Sequence, residues 1–145
     1  MSDIERFGSD GPWESDYGYS RAVRAGDFVH VAGTTAITED GIVLALDDAA
    51  GQVHAILDAI EEVLLRVGAR MDQVVRTRMF VADIRRADEI GRAHGERFAG
   101  IAPVTTMVQV AALLDPRMLV EIEALAYTGP SADPSSPSAS DPSAA

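Results

Sequence analysis

LVEIEALAY, residues 119–127, is the stretch that decides the fold. Side chains alternate faces along a strand. Val120, Ile122, Ala124 and Ala126 therefore point one way, and Glu121, Glu123, Leu125 and Tyr127 point the other. The first set is a core face. The second mixes two carboxylates with a leucine and a tyrosine, which suits neither open water nor a dry interior. The segment predicts a sheet with one face under helices and the other against a partner.

The helices lie upstream. From Asp47 or Asp48 onward, Val53, Ile56, Leu57, Ile60, Val63, Leu64 and Val67 recur at helical spacing, and Gly68 stands where a C-terminal cap belongs. RADEIGRAHGERFAG, residues 86–100, predicts a shorter helix with Ala87, Ile90, His94 and Phe98 on one side. SRAVRAGDFVHVAGTTAI, residues 20–37, reads as a hairpin turning at Ala25-Gly26-Asp27. VVRTRMFVADI, TTMVQVAAL and MLVEIEALAY supply three further strands, the last two joined through residues 114–117. The order β-β-α-β-α-β-β predicts an α+β fold, a mixed sheet with both helices packed on one face.

Alternation then distributes the remaining strands. Val75, Thr77, Met79 and Val81 are expected on the helix side with Val29, Val31, Thr106, Val108 and Val110. The outer face would carry Phe28, His30, Arg78, Phe80, Met107, Leu125 and Tyr127, with Thr105, Gln109, Arg76, Glu121 and Glu123 among them. So apolar a patch marks an interface, and another copy of the chain is its expected occupant.

Bulk composition narrows the function classes. The chain has 145 residues, 47% of them hydrophobic, which suits one domain with a real core. Without cysteine there is no disulfide, thiolate nucleophile or Cys-ligated zinc. The formal net charge is −11 and lysine is absent. Nucleic-acid backbones are bound by clustered Lys and Arg, so nucleic acid is not an expected partner. No apolar run approaches the roughly 18 residues of a membrane span, and residues 1–13 lack the pattern of a signal peptide. A cytoplasmic protein with no membrane association is the expectation. Residues 1–15 are expected to be loose, 16–128 to form the domain, and the Pro/Ser/Ala-rich residues 129–145 to be a disordered tail.

GYSRAV, VHVAGTTA, the long helix ending in GA, RTRMFVADI and above all APVTTMVQVAALLDPRMLVEIEALA together resemble the Rid family, the reactive intermediate deaminases, also called YjgF-like or L-PSP proteins. The resemblance implies a chorismate-mutase-like fold assembled as a homotrimer with clefts between subunits. It also implies a small-molecule ligand and hydrolysis, without a cofactor, of enamines and imines to keto acids and ammonia. On the family's pattern Tyr19 and Gly33 shape the cleft, and Glu121 positions the attacking water. Thr105 stands where deaminating members carry the arginine that clamps the substrate carboxylate, Met107 where a cysteine is frequent, and Gly91 where an asparagine is common. The usual 2-imino-acid deaminase activity is therefore expected to be weak or absent.

Several residues have competing readings. Glu121 could serve acid/base chemistry or pair with Arg76 or Arg78; for Glu123, structural pairing is the expectation. Arg78, placed on the same face as Thr105, is a candidate substitute clamp, against the alternative that a glutamate occupies it. His94 is a cleft candidate or a hydrogen-bonded packing residue. Thr34, Thr35, Thr105 and Thr106 are candidate polar contacts. The three histidines show no metal-ligand spacing, and no metal is expected. A non-catalytic trimer binding a metabolite or protein is the alternative function, and an endoribonuclease fits the acidic charge poorly.

Overall fold

A computed structural model describes residues 3–9, 11 and 13–130. Its elements are β1 (Ile4–Phe7), α1 (Trp13–Tyr17), β2 (Ala22–Ala25), β3 (Phe28–Thr34), α2 (Ala49–Arg66), β4 (Val74–Val81), α3 (Ala87–Phe98), β5 (Val104–Gln109) and β6 (Val120–Tyr127). The strands form one mixed sheet in the order β1-β2-β3-β6-β4-β5. All neighbours run antiparallel except β4 and β5, which α3 connects in parallel.

Helix α2 begins and ends where local chemistry dictates. The Asp48 side chain accepts from the Gly51 amide, capping the first turn. Gly68 adopts φ 77°, and the Ala69 and Gly68 amides close onto the Leu64 and Leu65 carbonyls, a Schellman ending. Arg24 of β2 donates to the Val67 carbonyl, satisfying another free acceptor at that end. Ile56, Leu57, Ile60 and Leu64 are fully buried, each worth about 1.5–3 kcal/mol relative to exposure. Gln52, also fully buried, donates to the Ala45 and Arg117 carbonyls and accepts from the Leu119 amide. A buried amide so completely paired ties α2 to the chain entering β6.

Strand β6 alternates buried and half-buried residues without interruption, as its sequence requires. Three expectations are corrected. Residues 1–15 were to be loose, yet Ile4–Phe7 pairs with Ala22–Ala25 as an edge strand, and Glu14 of α1 is buried, accepting from the Ser9 amide and hydroxyl. Backbone pairing, not an apolar pattern, orders IERF. Val75 is exposed and Val74 buried, because an extra residue of β4 bulges between the Val74–Ala126 and Arg76–Leu125 pairs.

The third correction is to β5, which presents the opposite phase. Thr105 pairs with Thr77 and Met107 with Met79, so these residues share the helix face, and Met107 packs against the core. Thr106 and Val108 are exposed on the outer face instead. Residues 131–145, most of the expected tail, lie outside the described residues.

Candidate functional site

The residues singled out in the sequence fall into two groups. The first gathers where β3 and β6 meet. Strand β3 carries an irregularity between Val31 and Thr34, which turns Thr34 inward and leaves Gly33 beneath the Glu121 carboxylate. A Cβ at Gly33 would overlap Glu121 Oε1 and lie only 3.1 Å from its Cδ. Glycine is required there for a close approach.

The Glu121 carboxylate makes no hydrogen bond or salt bridge among the described residues, although the Arg21 charge acts on it. Burial pushes its pKa above the ordinary carboxylate value; the Glu123 charge adds to this and Arg21 opposes it. Arg21 donates to the Ala32 and Gly33 carbonyls and to the Thr34 hydroxyl, while its Nε is buried without a partner among the described residues. Its charge also feels Tyr19 and Glu14. Arg21 thus holds the Ala32–Thr34 backbone in its irregular path. Sequence reasoning missed it, because only the fold brings Arg21 against Gly33.

The second group lies one strand beyond, on the helix face. His94 Nε2 sits 2.8 Å from Thr77 Oγ1, which is 2.7 Å from Thr105 Oγ1. Thr77 is fully buried, and the His94 ring packs against Phe98 at 4.6 Å between centroids. Burial holds the imidazole below its ordinary pKa. Thr77 was read only as a core position; a threonine among Val, Met and Val was the available signal, since a buried hydroxyl needs a partner.

Arg78 does not accompany Thr105. It points to the outer face, where its Nε and Nη2 donate to Glu123 Oε2 at 2.9 and 2.6 Å. Both groups are partly exposed, so the pair is worth about 1 kcal/mol at most. Beside it a depression of about 460 Å³ is lined by Tyr19, His30, Arg76, Arg78, Glu123 and Leu125. The outer face also exposes Phe28, whose ring meets Tyr127 at 5.2 Å. Among the described residues no cluster of His, Asp and Glu could hold a metal ion, and no helix is long and apolar enough to cross a membrane.

A two-sided mixed sheet with paired helices on one face and a carboxylate held over a glycine defines an α+β protein of the chorismate-mutase-like type. The family model described as Endoribonuclease L-PSP matches residues 13–128. The chain belongs to this family, the Rid or YjgF proteins. It is 40% identical over 126 residues to SCO2049 of Streptomyces coelicolor, covering 87% of this chain and 93% of that one. It is 29% identical over 109 residues to the 3-aminoacrylate deaminase RutC of Acinetobacter baylyi, covering 75% and 86% respectively. Rv2704 from Mycobacterium tuberculosis, a member of the YjgF/YER057c/UK114 family, superposes with a TM-score of 0.77 at 47% identity, covering 86% of this chain and 98% of that one.

Proposed function

We propose that the chain hydrolyses small imine or enamine compounds, or handles the related carbonyl compounds, in a cleft between subunits of a homotrimer. The observation that carries this reading is Glu121, a half-buried carboxylate without a fixed partner and with a raised pKa. Burial favours its carboxylic acid form more than water does, and general acid/base work needs a group that both takes up and gives back a proton. As carboxylate it accepts a proton from water while the oxygen adds to the C=N carbon. As carboxylic acid it returns that proton to the nitrogen of the carbinolamine formed from the protonated imine, and as carboxylate again it takes up the hydroxyl proton while C=O forms and ammonia leaves, that last proton passing on to ammonia or solvent. One water is consumed, and no electron acceptor is required.

Within one chain, Glu121 and Thr105 lie on opposite faces of the sheet, so a single copy cannot present both to one ligand. The exposed apolar outer face, which includes Phe28 and offers a surface for another copy, supports a cleft built from two copies. The similarity to RutC, a 3-aminoacrylate deaminase, supports the reaction class. Thr105 supplies no charge to bind a carboxylate, which favours neutral substrates over 2-imino acids. The test is a coupled assay in which imines of neutral and acidic 2-oxo compounds are generated in situ and carbonyl release is timed. Binding without acceleration over spontaneous hydrolysis would favour a non-catalytic binding module and refute the proposal.

A further inference from the structure

Arg21 brings more to its place in the fold than backbone support needs. Its Nη2 donates only to neutral acceptors, the Ala32 and Gly33 carbonyls and the Thr34 hydroxyl. Its Nε–H is buried and meets no acceptor among the described residues. A neutral side-chain amide could serve those acceptors without the cost of desolvating a charge. The charge therefore needs its own explanation. Tyr19, Glu14 and Glu121 are the groups that favour the charged guanidinium against its burial. A tyrosine is neutral at pH 7, and the Glu14 carboxylate is already taken up by the Ser9 amide and hydroxyl. Glu121, which makes no hydrogen bond or salt bridge among the described residues, is the anion left to answer Arg21.

One glycine joins the two. Arg21 reaches the Gly33 carbonyl at 3.4 Å, and the Glu121 carboxylate lies over the same residue, its Cδ 3.1 Å from where a Cβ would stand. We infer that Arg21 is a positioning residue for Glu121: it fixes the Gly33 backbone beneath the carboxylate and supplies the positive charge that favours its ionised form. The inference deepens the function proposed above and rests on Glu121 being its acid/base group. Burial and Glu123 favour the acid, and Arg21 opposes them. Of the other neighbours, Arg78 of β4 is held by Glu123, and Phe80 is the β4 residue opposite Glu121. On β3, Gly33 and Thr34 do not titrate, and His30 stands opposite Leu125, further along β6. Charge and support act with opposite signs. Removing the charge makes Glu121 easier to protonate, whereas merely loosening the backbone lets the carboxylate move into water and makes it harder to protonate.

The test uses the full chain labelled with ¹³C in the glutamate carboxyls and with ¹⁵N. In the wild type the Arg21 Nε–H signal should shift with the same midpoint as the Glu121 carboxyl, and that shift should vanish in Glu121→Gln. Arg21→Gln should hold the Glu121 proton at least about threefold more tightly, a shift of about half a pH unit. Arg21→Lys, which keeps the charge and loses the planar fork, should reverse most of that change. A Glu121 proton held no more tightly in Arg21→Gln, or a lysine variant that titrates like the glutamine one, overturns the inference. The Gly33 amide signal should move in both variants; if it holds still, Arg21 does not position that backbone and the inference falls. Should Arg21→Gln fail to fold, the wild-type measurement carries the test, and an Nε–H signal indifferent to the Glu121 titration overturns the inference. Turnover of a neutral imine is a separate readout. In Arg21→Gln the acidic limb of its pH profile should move up with the Glu121 titration. Coupling of Arg21 to Glu121 in a wild type without turnover would sink the proposed reaction and leave this pairing standing.

Discussion

Replacing Gly33 with alanine isolates the placement of Glu121 from the stability of the fold. The new methyl would overlap Glu121 Oε1 and crowd its Cδ at 3.1 Å and Cγ at 3.4 Å. Its own backbone conformation poses no obstacle, because Gly33 is not in the left-handed region. The carboxylate is the mobile partner and must retreat by about 1 Å to restore ordinary contact. An off-rotamer glutamate costs about 0.5–1.5 kcal/mol, and replacing glycine with alanine returns about 0.4–1 kcal/mol through the unfolded chain. The two nearly cancel, so the melting temperature should move by only a few degrees. Chemistry should suffer far more, since a misplacement of about 1 Å can cost on the order of a hundredfold in rate. The assay pairs carboxyl ¹³C titration of Glu121 with turnover of a neutral imine. In Gly33→Ala the Glu121 pKa should fall toward its ordinary value as the group moves into water, and turnover should drop about a hundredfold. An unchanged titration with unchanged turnover would refute the idea that this close approach positions the carboxylate.

Other perturbations probe the remaining links. Glu121→Gln should show its largest stabilising effect at neutral pH. Because the folded pKa is raised, the stability contributed by Glu121 is fully present below the unfolded value of about 4.3 and is lost as pH rises through the folded value. Urea denaturation at pH 4 and pH 8 should therefore give a larger gain over wild type at pH 8, and a gain independent of pH would contradict the assigned cause. Leu125→Asp, on the outer face beside Arg76 and Arg78, should convert a trimer to monomer by sedimentation, since three like charges would be forced together. A sedimenting monomer in the wild type at micromolar concentration would end the assembly argument. Hydrolysis of 2-iminopropionate should run roughly two to four orders of magnitude slower than in an arginine-bearing relative, since a desolvated bidentate pair is absent at Thr105. Rapid release of pyruvate would show that another cation serves as the clamp.

What the sequence determined by itself is whatever local chemistry specifies. Alternation within residues 119–127 sorted β6 correctly because the period of two is a property of the strand alone. Asp48 and Gly68 bounded α2 because caps act over four residues. The signature around VEIEA identified the family before any contact was known. Tertiary structure decided the rest. In β5, Thr105 and Met107 compete with Thr106 and Val108 for the same face at similar hydrophobicity, and a shift of one residue exchanges them all. Pairing with β4 settled the phase, joining Thr105 to Thr77 and His94 and separating it from Arg78. The β4 bulge and the irregular end of β3 likewise depend on a neighbouring strand. Glu121 was legible as a candidate, but its raised pKa was not, because desolvation and the nearby charges of Glu123 and Arg21 arise only when distant segments close around it.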